Sequence, residues 1–128
     1  AVKQNGAYKN GSRLPNVKSP STTLIDNYPE PRGIAAKLFD KMALEQYVES
    51  GSLGLKICRV AEGSADIFVK DVLVKDWDLA APELILHEAG GILTDQHLQL
   101  ISYTGVSNQQ GIVATRDKAL SKKIHALI

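Results

Sequence analysis

The 128-residue chain has one cysteine, one tryptophan, one methionine and two phenylalanines. A single cysteine excludes an internal disulfide and any multi-cysteine zinc site. No apolar run reaches about 18 residues, so the sequence offers no helical bilayer span. The opening AVKQNGAYKNG lacks the apolar segment of a secretory signal. Charge of one sign is missing too. Fifteen Lys and Arg face 14 Asp and Glu, for a net charge of +1, which excludes a nucleic-acid polymer binder working by bulk charge. There is no internal repeat and no low-complexity tract. Together these absences lead us to expect a soluble protein of the reducing cytoplasm, without a membrane partner.

Hydrophobic residues make up 44% of the chain, enough for a real core. Asn10-Gly11 between short apolar or aromatic positions reads as a hairpin turn, cut from a longer sheet. Residues 12–21, with two prolines and several serines, read as a connecting loop. Thr22 to Ile25 is a β-branched run broken by Asp26-Asn27-Tyr28-Pro29. Ile34, Leu38, Met42 and Tyr47 recur near helical spacing and predict a helix over Ile34–Val48. Further helices are expected at Leu55–Ala61, stopped by Gly63, at Trp77–Ala89, closed by Gly90-Gly91, and at Arg116–Leu127. Strands are expected at Ile67–Val69, Ile92–Thr94 and Gly111–Ala114. Alternating strands and helices imply an α/β layer with a largely parallel sheet between helices.

Three places can carry chemistry. Asp78 opens a helix after a charged loop, where a carboxylate is favoured by the positive helix end. It serves there either as a cap or as a hard oxygen ligand for a metal, beside N–H groups able to receive phosphate. Pro82 falls in the first turn of that helix, where its missing N–H has no partner to lose. The second place is Gly51-Ser52-Leu53-Gly54-Leu55-Lys56. It is either a tight loop or an anion-binding turn to which Lys56 adds a point charge. The third is Glu88-Ala89-Gly90-Gly91. Glu88 lies roughly 15 Å along the helix from Asp78, too far to share a metal, and is expected to brace a loop. His87, His97 and His125 form no constellation. Cys58, on a mostly apolar helix face, reads as a small core residue.

Taken together, Trp77-Asp78-Leu79-Ala80-Ala81-Pro82-Glu83-Leu84-Ile85-Leu86-His87-Glu88-Ala89-Gly90-Gly91 resembles the C-terminal signature of the inositol monophosphatase superfamily. The stretch from Gly51 to Asp66 resembles the substrate loop and helix that precede it there, and the spacing between the two blocks fits. The resemblance implies magnesium-dependent, lithium-sensitive phosphomonoester hydrolysis. It also implies that residues 1–128 are the C-terminal α/β layer of the αβαβα sugar-phosphatase fold. By the same resemblance Asp78 is a Mg2+ ligand, and Ser52, Gly54 and Lys56 contact a small phosphorylated substrate.

The Asp-Pro-Ile/Leu-Asp-Gly-Thr motif that supplies the family's other ligands is absent from these 128 residues. They should therefore not catalyse alone, and the partner expected first is the N-terminal half of the same enzyme, with room for a homodimer. Ala81-Pro82-Glu83 with Lys56 resembles 3'(2'),5'-bisphosphate nucleotidases, although Asp26-Asn27-Tyr28 stands where those enzymes tend to carry a Ser-His pair. Inositol monophosphatase is the second reading. A module that keeps the fold without catalysis is the third.

Overall fold

The computed structural model describes residues 1–103 and 108–128. A small hairpin, β1 (Tyr8–Lys9) and β2 (Ser12–Arg13), turns at Asn10-Gly11, both with positive φ (50° and 83°). It stands as its own two-stranded sheet rather than as part of a longer one. The main sheet comprises β3 (Thr23–Asp26), β4 (Gln46–Glu49), β5 (Ile67–Lys75), β6 (Ile92–Thr94) and β7 (Asn108–Thr115), in the order β4-β3-β5-β7-β6. The helices are α1 (Gly33–Lys41), α2 (Leu53–Glu62), α3 (Asp76–Glu88) and α4 (Lys118–His125).

The expected α/β architecture is present, but the sheet is mixed rather than largely parallel. β3 pairs parallel with β4 and β5, whereas β7 pairs antiparallel with both β5 and β6. These pairings point β3, β4, β5 and β6 the same way, so only β7 is reversed. Successive strand residues are buried in opposite cores, as a sheet covered on both faces requires. Ile25, Phe68, Ile112 and Ala114 pack beneath α2 and α3. Leu24, Ile67, Val69 and Val113 pack beneath α1 and α4, with Ala35, Leu38, Leu120 and Ile124. Among the described residues, no helix is long and apolar enough to cross a membrane.

Three elements depart from expectation. The charged loop expected between Val69 and Asp78 is absent, because β5, after a register shift between Lys70 and Leu73, continues along β7 to Lys75 and enters α3 directly. The helix predicted over Ile34–Val48 ends at Lys41. Ala43 takes a left-handed φ of 50°, and the Leu44 N–H closes back onto the Phe39 carbonyl at 2.9 Å. The chain then enters β4, where Gln46–Glu49 run in register with Thr23–Asp26. Tyr47 therefore lies on a strand, and meets Phe39 edge-on at 6.4 Å. Pro82 is also deeper than expected. It is the seventh residue of α3, not in its first turn, and has no N–H to offer the Asp78 carbonyl four residues back.

Gly63 ends α2 with φ 101° and accepts no side chain. A Cβ there would come within 2.0 Å of the Val17 carbonyl oxygen. The segment from Pro15 crosses this point because the Asn16 and Val17 N–H groups both donate to the Glu62 carbonyl. Gly63→Ala should cost at least about 2 kcal/mol in urea unfolding, combining strain with displacement of that segment. Gly90→Ala, at φ 93° with open space around it, should cost about 1 kcal/mol. Equal costs at the two positions would contradict the close approach at Gly63.

Candidate functional site

Because β3, β4 and β5 run parallel, their carboxyl ends share one edge of the sheet, where α/β folds hold their ligands. β4 leads into the start of α2, and β5 leads into the start of α3. Ser52, Gly54 and Lys56 belong to the turn and first turn of α2 that follow β4, and Asp78 to the first turn of α3 that follows β5. α2 and α3 lie side by side there, and a Cβ on Gly54 would touch the Pro82 ring at 3.9 Å.

Asp78 is exposed, and its Oδ2 accepts a hydrogen bond from the Lys75 N–H at 3.1 Å. Asp78 is therefore not the N-cap expected from sequence: Lys75 holds that position, and Asp78, the third residue of α3, reaches back to its N–H as the second half of a capping box. An exposed carboxylate at a helix start also fits one ligand position of a divalent cation. Among the described residues no group of three or more His, Cys, Asp or Glu is placed to hold a metal, so the remaining ligands would have to come from elsewhere. Ser52 is exposed and adopts a left-handed φ of 59°. Its hydroxyl accepts from the Leu55 N–H at 3.3 Å, so in this state it caps α2.

Lys56 is only 4% exposed. Its Nζ lies 5.0 Å from the Phe68 ring centroid and 3.5 Å from Asn27 Oδ1. No carboxylate pairs with it among the ion pairs of the described residues. Burial holds its ammonium below the ordinary lysine range; Asp26 raises it again and Lys70 lowers it further.

Sequence reasoning missed the groups around Lys56. Lys70 Nζ also reaches Asn27 Oδ1, at 2.7 Å, and pairs with the buried Asp26 carboxylate at 2.9 Å. The Tyr28 ring lies 4.8 Å from the same ammonium. Two ammonium groups thus converge on one amide oxygen, with one carboxylate bonded to the second of them. The signal available was a charged residue at the end of each of two buried apolar runs, Thr23–Ile25 and Ile67–Val69. It has meaning only once β3 and β5 are known to be neighbours.

The remaining candidates lie apart. Glu88 Oε1 accepts from the Gly6 N–H at 2.9 Å. That bond and one from Gln4 hold its carboxyl below the usual range, so it braces the N-terminal segment as expected. His125 sits between Thr94 Oγ1 (3.0 Å) and the Gln96 carbonyl (3.1 Å). Burial raises the Cys58 thiol, followed by the Glu62 charge, which disfavours a thiolate.

The model of the inositol monophosphatase family matches residues 1–128. The chain is 34% identical over 100 residues to a fructose-1,6-bisphosphatase/inositol-1-monophosphatase of Methanocaldococcus jannaschii, covering 76% of this chain and 38% of that protein. It is 41% identical over 69 residues to human 3'(2'),5'-bisphosphate nucleotidase 1, covering 51% of this chain and 22% of the relative. A Pyrococcus horikoshii protein with similarities to inositol-1 monophosphatase has the same fold, with a TM-score of 0.78 at 22% identity, over 99% of this chain and 50% of that one. Inositol monophosphatase II of Staphylococcus aureus aligns with a TM-score of 0.75 at 22% identity, over 98% of this chain and 48% of its own. The chain thus spans about half the length of these solved relatives. With the fold, the sheet-edge site and a match along its whole length in agreement, this chain belongs to the inositol monophosphatase family.

Proposed function

We propose that residues 1–128 form the C-terminal half of a magnesium-dependent, lithium-sensitive phosphomonoesterase whose substrate carries a second anionic group. A 3'(2'),5'-bisphosphate nucleotide is the favoured substrate. The observation that carries this reading is the convergence of Lys56 and Lys70 on one oxygen with a single carboxylate beside them. Such a seat has surplus positive charge, two ammonium groups to one carboxylate, and opens to solvent at Asn27, so it suits a phosphate or another compact dianion arriving from outside. The M. jannaschii relative favours a second reading, a sugar bisphosphate or inositol phosphate, because its match covers more of this chain than the nucleotidase match does.

Asp78 would supply one ligand to the Mg2+ at the helix edge. When bound, the metal neutralises the scissile phosphate, lowers the pKa of a water and stabilises the leaving oxygen. The chain's own residues orient the substrate around that centre. Lys56 and Lys70 would take the second anion, with the Phe68 and Tyr28 rings flanking the ammonium groups. The turn at Gly51-Ser52 and Gly54 lets the backbone at the start of α2 come close to the substrate.

Asp78→Asn separates capping from metal binding, because the amide oxygen can still accept from Lys75. In the full gene product with Mg2+ it should lower kcat by about 100-fold or more while leaving the melting temperature nearly unchanged. A large fall in melting temperature with unaltered metal dependence would assign Asp78 to capping alone. Release of phosphate from adenosine 3',5'-bisphosphate, its suppression by Li+, and slower release from inositol 1-phosphate and fructose 1,6-bisphosphate would support the nucleotidase reading. The reverse order would favour the second reading.

Lys56 tests the seat through stability. With its ammonium held below the ordinary range, the folded state bears the full penalty at neutral pH, where the unfolded chain is also charged. That penalty fades as pH rises toward the ordinary lysine range. Lys56→Met should therefore raise unfolding stability by about 1 kcal/mol at pH 7 and by less at pH 10, while raising KM for a bisphosphate more than for a monophosphate. A loss of stability at pH 7 would contradict this account of the buried ammonium.

A further inference from the structure

We propose that Asp26 is a positioning residue for this seat, fixing Lys70 so that its ammonium and that of Lys56 meet on one oxygen. The kinetic part of the test rests on the phosphatase reading, whereas the geometric part does not. Asp26 ends β3 and is 2% exposed. Its Oδ1 accepts two hydrogen bonds, one from Lys70 Nζ at 2.9 Å and one from the Asn27 N–H at 2.8 Å. A single buried oxygen therefore orients both the cation and the residue whose side-chain oxygen that cation touches. The parallel register that sets Leu24 opposite Ile67 brings Asp26 level with the end of the Ile67–Val69 run, next to Lys70.

Lys70 has four rotatable side-chain bonds and Asp26 is its only ion-pair partner among the described residues. A second ammonium shares its amide acceptor, so without Asp26 the two cations repel and Lys70 can swing away. A role limited to neutralising charge has the opposite consequence. Removing the carboxylate would then leave more positive charge and tighten anion binding. The two roles therefore differ in sign.

The test measures KM for adenosine 3',5'-bisphosphate and for adenosine 3'-monophosphate in the full gene product with Mg2+. Asp26→Ala should raise the bisphosphate-to-monophosphate KM ratio about tenfold, and Asp26→Asn, which keeps an acceptor oxygen, should bring it back to within about threefold of wild type. A ratio that falls in Asp26→Ala, or the same change on both substrates, would overturn the proposal. If the wild-type protein hydrolyses no phosphomonoester, the phosphatase reading fails by itself. The crystal structure of the Asp26→Ala protein then decides the positioning claim. Lys70 Nζ withdrawn from Asn27 Oδ1 supports it, and Lys70 Nζ still at the present 2.7 Å overturns it.

Discussion

Two ammonium groups share one amide oxygen at the carboxyl edge of the sheet, and one buried carboxylate stands beside them. Lysine is rarely buried unless paired, because its charge loses hydration that only a partner can replace. Lys70 has such a partner in Asp26. Among the described residues Lys56 makes no ion pair; it meets the Phe68 ring face and a long hydrogen bond to Asn27, with the Asp26 charge acting from farther away. Such an arrangement costs stability, and under the proposed function that cost prepares the edge for an anion, as folds concentrate local costs where they bind ligands.

The sheet makes this possible. Three adjacent parallel strands deliver their ends, and the starts of the helices that follow β4 and β5, to one edge. Gly54 lies against the Pro82 ring, so the start of α2 packs on α3 one turn beyond Asp78. Asp78 can cap its helix and offer an exposed carboxylate oxygen at the same time, since capping occupies Oδ2 alone. The two roles weighed for it from sequence are therefore compatible.

What could be read from the chain followed signals that are local and strong. Asn10-Gly11 turned as its left-handed preference requires, Gly63 ended α2, and the α3 pattern from Trp77 to Glu88 was a helix closed by glycines. What could not be read depended on pairing. Hydrophobic periodicity has no direction, so the reversal of β7 was invisible. Tyr47 fell near helical spacing from Met42, yet a left-handed Ala43 and the free edge of β3 drew Gln46–Glu49 into the sheet. In the site, Ser52, Gly54, Lys56 and Asp78 came from local pattern and family resemblance. Asp26, Asn27 and Lys70 did not, because they meet only through the β3–β5 neighbour relation.

The account joins a metal-facing carboxylate to a two-lysine anion seat, and one measurement examines both. It is the crystal structure of the full gene product with Mn2+, inorganic phosphate and adenosine 5'-monophosphate, with Mn2+ located by anomalous scattering. The account requires Mn2+ at about 2.2 Å from an Asp78 carboxylate oxygen and the nucleotide phosphate between Lys56 and Lys70. Mn2+ bound away from Asp78, with the lysines still closed on Asn27 and the nucleotide elsewhere, would contradict it.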